Sequence, residues 1–307
     1  MNHMTFLNII YILISLALLW KGSDWLVGRA IRIANWLGVS QLVIGLTVVA
    51  FGTSAPEFAV TIGAALNGQS NISVSNVIGS NIYNLGFILG GVAMIRAIGS
   101  DRKLVFRDGT ILVLTSLVLL LFLYDLHLSR VEGLLLFLGL IAYNIFLVRQ
   151  KEPVEVDAET SASIIRDWLV FALGLALVVI GGNLLRIGAV GLARQAGISD
   201  WVIGVTVIAG GTSAPEFATS LMASIRGHHG ISAGNLIGSC IFNLLGVLGL
   251  AGLLRPMTVD ADAHHNIFMM IGIVFLALIF FRTGWKMSRL EGAILVAVSI
   301  LLWVIIL

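Results

Sequence analysis

Apolar residues dominate this 307-residue chain in long runs that short polar segments separate. A helix needs a run of about 20 apolar residues to cross a bilayer. The pattern predicts ten such helices, at residues 5–28, 40–66, 71–95, 108–124, 129–148, 166–190, 200–225, 231–254, 265–281 and 288–306. Asp108 stands at the boundary of the fourth predicted helix, and we assign it to the loop that precedes this helix. The sequence therefore predicts an all-α integral membrane protein.

One segment of the chain occurs twice. Val43–Gly90 and Val202–Gly249 align without a gap, with 27 identities in 48 positions and a constant offset of 159 residues. The polar residues that recur are Thr53, Ser54, Pro56, Glu57, Asn76, Ser80 and Asn84 in the first copy, and Thr212, Ser213, Pro215, Glu216, Asn235, Ser239 and Asn243 in the second. A match of this kind indicates an internal duplication.

The duplication predicts two halves of five transmembrane helices each. Because five is an odd number, the second half must enter the membrane from the opposite side, which gives two inverted repeats. We place the halves at residues 1–148 and 166–307, with a short linker at 149–165. Both GTSAPE motifs are expected to break a helix, since proline lacks an N–H and clashes with the preceding turn.

Composition and charge narrow the class of protein. Hydrophobic residues make up 58% of the chain and charged residues 11%, and the mean hydropathy is +1.03, which excludes an ordinary soluble domain. The net charge of +2 and the lack of a basic face argue against nucleic acid as a partner. The single cysteine, Cys240, excludes an internal disulfide. The expected partner is the lipid bilayer, with no obligate protein partner.

The basic residues predict an orientation. Thirteen of the 18 lie on the side of the loops that follow odd-numbered helices, four lie on the other side, and Lys21 is ambiguous. Positively charged loops stay in the cytoplasm. We therefore expect a multi-pass protein of the cell (inner) membrane with both termini extracytoplasmic and the central loop cytoplasmic. The N-terminal segment has no basic leader or cleavage site and is interpreted as the first span.

The candidate chemistry lies in the GTSAPEF segments. Glu57 is the only ionisable residue between Gln41 and Leu66, and Glu216 is the only one between Trp201 and Ile225. An unpaired carboxylate at that depth costs several kcal/mol. The helix breaks are expected to free carbonyls near Ala50. Carbonyls, hydroxyls and carboxylates together suit Ca²⁺ or Na⁺. Ser54 and Ser213 also stand where a capping box would place them, three residues before the glutamates, so we expect capping as a second role.

A second set of polar residues repeats on one helix face. Asn76, Ser80 and Asn84 are spaced i, i+4, i+8, as are Asn235, Ser239 and Asn243. The alternative role for these residues is hydrogen bonding between helices. The repeat breaks where Asn81 corresponds to Cys240, so neither position is assigned as a ligand.

GTSAPE followed by NVIGSNIYN, with a second copy ending in GSCIFN, resembles the two alpha-repeats of the cation/Ca²⁺ exchanger superfamily, in particular prokaryotic Na⁺/Ca²⁺ exchangers. The resemblance implies a Na⁺/Ca²⁺ antiporter, with no enzymatic activity and no cofactor. It implies Ca²⁺ ligation by Glu57 and Glu216 and by the carbonyls of Thr53 and Thr212. It implies Na⁺ ligation involving Ala50, Thr53, Ser54, Glu57, Ser80, Ala209, Thr212, Ser213, Glu216 and Ser239. Asn84 and Asn243 correspond to the central polar pair.

Three alternatives to Na⁺/Ca²⁺ exchange stay open. A Ca²⁺/H⁺ antiporter would use the same carboxylates, and a K⁺-dependent Na⁺/Ca²⁺ exchanger would add K⁺. A passive cation channel would differ only in lacking coupling. An intramembrane hydrolase is disfavoured, because no His, Lys or Asp accompanies Ser54 or Ser213 as a base.

Overall fold

A computed structural model describes residues 3–150, 163–197 and 209–306. The helices are α1 (His3–Leu37), α2 (Gln41–Thr53), α3 (Ala55–Leu66), α4 (Ser70–Ile95), α5 (Leu104–Phe122), α6 (Arg130–Arg149), α7 (Ile164–Gln195), α8 (Ala209–Thr212), α9 (Ala214–Ile225), α10 (His229–Leu254), α11 (Asp262–Arg282) and α12 (Arg289–Ile306). A 3₁₀ turn, Thr283–Trp285, follows α11. Short strands lie between these helices: β1 (Ile98–Gly99), β2 (His127–Leu128), β3 (Met257–Thr258) and β4 (Lys286–Met287).

Several of these helices widen locally into single π-helical turns. The turns are Gly45–Val49 in α2, Asn84–Ile88 in α4, Leu104–Asp108 in α5 and Phe242–Val247 in α10. Such turns leave some backbone groups out of the regular hydrogen-bond ladder and are frequent at functional sites. The turns of α4 and α10 contain Asn84 and Asn243, two of the expected site residues.

The helices confirm a multi-pass membrane protein. Within the described ranges, α1, α4, α5, α6, α7, α10 and α11 are long and apolar enough to cross a membrane, and the bent pair of α2 and α3 adds an eighth if it forms one span. Residues 198–208, at the start of the predicted helix 200–225, lie outside the described residues, as does most of the 149–165 linker. The count of ten helices stays a prediction.

The first helix of each half is longer than the sequence analysis predicted. α1 continues to Leu37 rather than to residue 28, and α7 continues to Gln195 rather than to residue 190. The 35 residues of α1 span about 52 Å, whereas the hydrocarbon core of a bilayer is about 30 Å thick. Arg29 and Arg32 therefore lie on the helix and not in a loop. The helix ends before Gly38, whose φ of +66° favours glycine.

The prediction that Asp108 lies in a loop is wrong. Asp108 belongs to the first turn of α5 and is fully buried. Arg107 Nε donates to Asp108 Oδ1 at 2.9 Å, and the Tyr143 hydroxyl donates to the same oxygen at 2.9 Å. Because the adjacent charges compensate each other and α6 supplies a further donor, the helix can include both charged residues.

Both GTSAPE segments interrupt the helical backbone. α2 and α3 meet at Ser54 with a bend of 53°, and Pro56 lies in the first turn of α3. α8 and α9 are likewise separated at Ser213, and Pro215 lies in the first turn of α9. Proline is tolerated in a first turn because the N–H it lacks would have no helical acceptor there. Each glutamate of the motif therefore lies near the start of a helix.

Contacts between the halves occur twice, and the second contact is the first one with the equivalent residues of the two halves interchanged. β1 pairs antiparallel with β4 and β2 with β3, so Ile98 lies opposite Met287 and Leu128 lies opposite Met257. Residues 98 and 257 are 159 apart, and so are residues 128 and 287, which makes the two sheets equivalent under the offset. In the same way α6 packs on the last turns of α10, and α12 packs on the last turns of α4.

The core is centred on α10 and α4. In their most apolar segments, 89% of the residues of α10 and 67% of those of α4 are buried, against 17% for α1. α1 packs along α7 at the periphery. The polar side chains of Ser80 and Asn84 on α4 and of Ser239 and Asn243 on α10 are therefore held inside the protein, away from lipid.

Candidate cation site

The two backbone breaks bring the two glutamates of the repeat together through the serines of the opposite halves. Glu57 and Glu216 lie in the first turns of α3 and α9, and both side chains are fully buried. Ser54 Oγ donates to Glu216 Oε1, and Ser213 Oγ donates to Glu57 Oε1, each at 2.9 Å. The two halves thus form one polar cluster.

The prediction that Ser54 and Ser213 cap their own helices is wrong. Neither side chain makes a capping hydrogen bond, and their ψ angles of 11° and 8° differ from the extended backbone of a typical cap. The hydroxyls bond instead to carboxylates of the other half, which are stronger acceptors. A complete capping box does occur at Ser129 and Glu132, at the start of α6.

Each glutamate keeps one carboxylate oxygen without a partner. Among the described residues, none donates a hydrogen bond to Glu57 Oε2 or Glu216 Oε2. Leaving a buried neutral acceptor unsatisfied costs about 1–3 kcal/mol, and a charged one costs more. Two carboxylates with free oxygens supply up to two negative charges, and carboxylate oxygens are the preferred ligands of hard cations.

The threonines before the glutamates are also buried. Thr53 and Thr212 end α2 and α8, and Thr53 Oγ1 donates to Asn235 Oδ1 of α10 at 3.1 Å. The Ala50 carbonyl, which we expected the break to free, still accepts the Ser54 backbone N–H at 3.1 Å. The Thr53 hydroxyl also lies within hydrogen-bond distance of this oxygen, at 3.4 Å. Ala209 begins α8, and its side chain lies outside the described residues.

α4 and α10 contribute the remaining expected site residues. Ser239 Oγ donates to Glu216 Oε1 at 3.5 Å, and Ser80 is buried at the equivalent position of α4. Asn84 and Asn243 are fully buried. Within the described part of the chain, both polar atoms of the Asn84 side chain and Oδ1 of Asn243 have no hydrogen-bond partner. The centre of the molecule therefore presents several unsatisfied oxygens.

Two residues that were not predicted from the sequence hold the glutamate-bearing helices in place. Thr61 Oγ1 accepts from Asn76 Nδ2, and Ser220 Oγ accepts from Asn235 Nδ2, each at 2.9 Å. The same Nδ2 atoms lie 3.4 Å from the backbone carbonyl of the glutamate in their own half. α4 is thereby tied to α3 and α10 to α9. The signal was available, because a hydroxyl residue stands at this position of both repeats.

Comparison with known proteins gives the family. The profile of the sodium/calcium exchanger protein family matches residues 7–149 and 166–307. The chain belongs to the sodium/calcium exchanger family. It is 37% identical over 302 residues to the putative antiporter CaxA of Alkalimonas amylolytica, with 93% of this chain and 94% of that protein covered. It is 33% identical over 332 residues to the sodium/calcium exchanger MaX1 of Methanosarcina acetivorans, with 94% and 95% covered.

A solved exchanger shares the fold. The sodium-calcium exchanger NCX_Mj, in a crystal soaked with Na⁺ and Sr²⁺, superposes with a TM-score of 0.85 and 32% sequence identity, covering 97% of each chain. The resemblance inferred from the duplicated motifs is thereby confirmed. Both family and fold are those of a cation/Ca²⁺ exchanger, a membrane transporter rather than an enzyme.

Proposed function

We propose that the protein is a secondary active antiporter that exchanges Na⁺ for Ca²⁺ at one site shared by both halves. The observation that carries the proposal is the pair of buried glutamates, Glu57 and Glu216, each bonded to the serine of the opposite half and each with one free oxygen. A site built equally from two halves can be reached from either side of the membrane when the halves exchange conformations.

The ligands follow the family pattern. Ca²⁺ is bound by the carboxylates of Glu57 and Glu216 together with the carbonyls of Thr53 and Thr212. The residues proposed for Na⁺ are Ala50, Thr53, Ser54, Glu57 and Ser80 in the first half and Ala209, Thr212, Ser213, Glu216 and Ser239 in the second. Asn84 and Asn243 lie between the halves as neutral polar groups. Every ligand in this set is an oxygen, which is the preference of both ions.

Charge makes the two ions mutually exclusive. Two ionised carboxylates balance one Ca²⁺, so each added Na⁺ brings uncompensated positive charge. Repulsion between unit charges about 4 Å apart is roughly 4 kcal/mol at an effective dielectric near 20, and it doubles against a divalent ion. Because the site holds either Ca²⁺ or Na⁺, movement of one ion is coupled to movement of the other in the opposite direction.

The proposed architecture is ten helices in two inverted repeats. The exchanged strand pairs and the exchanged bonds between the GTSAPE segments support a two-fold relation between halves. A topology test follows from the basic residues: a reporter in the 149–165 linker is expected in the cytoplasm, and one after Leu307 outside. Both reporters on the same face would contradict the inverted arrangement.

Transport in vesicles tests the function. Purified protein in liposomes is expected to take up ⁴⁵Ca²⁺ against its gradient when Na⁺ is inside, and to stop when choline replaces Na⁺. Uptake driven by a pH gradient alone would indicate Ca²⁺/H⁺ exchange. A further requirement for K⁺ would indicate K⁺-dependent exchange. Uptake that never exceeds equilibrium would indicate a channel.

A further inference from the structure

The duplicated motif departs from itself at one buried position in the centre of the molecule. Asn81 of α4 corresponds to Cys240 of α10, and both side chains are fully buried. The polar residues three positions later, Asn84 and Asn243, are the same in both halves. Any difference between these two asparagines must therefore come from their surroundings.

Asn81 makes two hydrogen bonds to α10. Its Nδ2 donates to the Cys240 backbone carbonyl at 3.2 Å, and its Oδ1 accepts from Asn243 Nδ2 at 3.3 Å. A backbone carbonyl can only accept, so the first bond fixes which end of the Asn81 amide faces Cys240. The other end, an acceptor, must then face Asn243.

The second bond orients Asn243. An amide carries its oxygen and its NH₂ group on opposite sides of one carbon, so holding Nδ2 against Asn81 turns Oδ1 away from Asn81. That oxygen is buried and has no donor within the described ranges. A side-chain carbonyl oxygen of this kind is one of the oxygen ligands that hard cations accept.

Asn84 has no comparable support. The residue equivalent to Asn81 on the other helix is Cys240, whose Sγ is a weak donor and lies 4.0 Å from the Asn81 carbonyl. Neither polar atom of the Asn84 side chain has a partner in the described structure. Its amide can therefore turn either end toward the site.

We propose that Asn81 is a positioning residue that presents the side-chain oxygen of Asn243 to the transported cation. The two halves then contribute unequally to a site whose other groups are matched. This inference rests on the proposed cation exchange at the same site. Without Asn81, the NH₂ group of Asn243 would face the cation part of the time, and an N–H donor repels a cation.

The test exchanges the two residues that break the repeat. Asn81→Cys is expected to weaken the apparent affinity for Ca²⁺ about three- to tenfold, the range of one buried hydrogen bond. Cys240→Ala is the matched control and should stay within about twofold, because the carbonyl that holds Asn81 remains. Adding Cys240→Asn to Asn81→Cys transfers the arrangement to the other half, where it holds Asn84. Affinity is measured by ⁴⁵Ca²⁺ binding to purified protein and by Na⁺-driven uptake.

The decisive measurement is a rank order. In the parent, Asn243→Ala should weaken Ca²⁺ binding more than Asn84→Ala, and in the exchanged double variant the order should reverse. A merely structural role for Asn81 would lower the Tm without reversing the order, and an unreversed order overturns the proposal. If the double variant does not fold, equal effects of the two alanines in the parent overturn it. A parent that binds no Ca²⁺ would instead refute the proposed function.

Discussion

The glutamates and serines at the centre of the molecule make equivalent contacts in the two halves, whereas the ends of the peripheral helices do not. At the centre, Ser54 bonds Glu216 and Ser213 bonds Glu57 at the same distance of 2.9 Å. At one end of the peripheral pair, Arg29 of α1 forms an ion pair with buried Asp167 of α7 at 2.8 Å. The positions equivalent to Arg29 and Asp167 hold Gly188 and Asn8.

An ion pair joins α1 and α7 at the charged end, whereas the two helices pack closely at the neutral end. A Cβ added at Gly188 would lie 2.7 Å from the Asn8 carbonyl, and one added at Gly191 would lie 2.3 Å from Asn8 Nδ2. In the proposed exchange both halves bind the same ions, so the paired glutamates and serines stay matched, although Asn81 and Cys240 beside them differ. In the proposed topology these helix ends face opposite sides of the membrane, and the positive-inside rule favours basic residues on one side only. The glutamates and serines proposed to bind the ions therefore keep the symmetry, and the helix ends, whose environments differ, do not.

The strongest test of this comparison removes one charge from the centre. Glu57→Gln and Glu216→Gln are each expected to lower Na⁺-driven Ca²⁺ uptake at least about 100-fold, because a divalent ion would meet one carboxylate instead of two. The two losses should be similar, since each half supplies one carboxylate. ⁴⁵Ca²⁺ uptake and equilibrium binding measure both.

The matched control makes the same glutamate-to-glutamine substitution at a glutamate outside the proposed site. Glu132 accepts in the capping box of α6, where glutamine serves equally well. Glu132→Gln should therefore transport Ca²⁺ within about twofold of the parent. Parental Ca²⁺ affinity in either of the two central variants would show that the glutamates do not form one shared site.

The same comparison shows what the sequence could reveal. The repeat predicted both helix breaks and both glutamates. The effect of proline on a helix and the cost of an isolated carboxylate in a membrane both depend on the local sequence. The serine contacts were mispredicted for the opposite reason. A capping box needs only four consecutive residues, whereas the bond from Ser54 to Glu216 joins residues 162 positions apart. No local pattern distinguishes the two.

Asp108 was mispredicted for a related reason. A charged pair beside an apolar run is typical of a helix end in water, which is the position that the sequence pattern predicts for Arg107 and Asp108. In the structure, Tyr143 of the neighbouring helix donates to Asp108, and Arg107 compensates its charge, so the pair lies inside the helix. The partner that decides the outcome is 35 residues away. Tertiary contacts of this kind become visible only in the fold.

A second prediction adds a charge to the centre. Asn243→Asp places a third carboxylate among buried polar groups, and crowded like charges take up protons more readily. We expect Ca²⁺ uptake by this variant to fall more steeply than that of the parent as pH is lowered below neutral. The initial rate of ⁴⁵Ca²⁺ uptake from pH 5.5 to 8.5 measures this. Identical pH profiles would place Asn243 outside the ion site.

A third prediction concerns a cluster that only the first half possesses. The positions equivalent to Asp108 and Tyr143 are Ile267 and Leu302. Asp108→Asn removes the ion pair with Arg107, and we expect a loss of about 1–3 kcal/mol of stability. Tyr143→Phe removes one hydrogen bond and should cost about 1 kcal/mol. The Tm in detergent measures both, and an unchanged Tm for Asp108→Asn would rule out a stabilising cluster.

The smallest expected effect lies at the surface contact between α1 and the end of α9. Asp24 forms an ion pair with Arg226, and the equivalent positions hold Asn183 and Asn67. The Asp24 and Arg226 side chains are 27% and 38% exposed, and surface pairs contribute at most about 1 kcal/mol. Asp24→Asn should therefore leave the Tm nearly unchanged. If α1 moves against α9 during transport, however, the pair favours one conformation.

The loss of that pair should then change the apparent Ca²⁺ affinity about two- to fivefold, in opposite directions when Ca²⁺ is offered from the two sides of the membrane. Transport in right-side-out and inside-out vesicles measures both affinities. Building the missing pair with Asn183→Asp and Asn67→Arg should shift them the same way as Asp24→Asn, because it stabilises the opposite conformation. Equal changes on both sides would mean that the pair only stabilises the fold, and that the asymmetry of the helix ends has no part in transport.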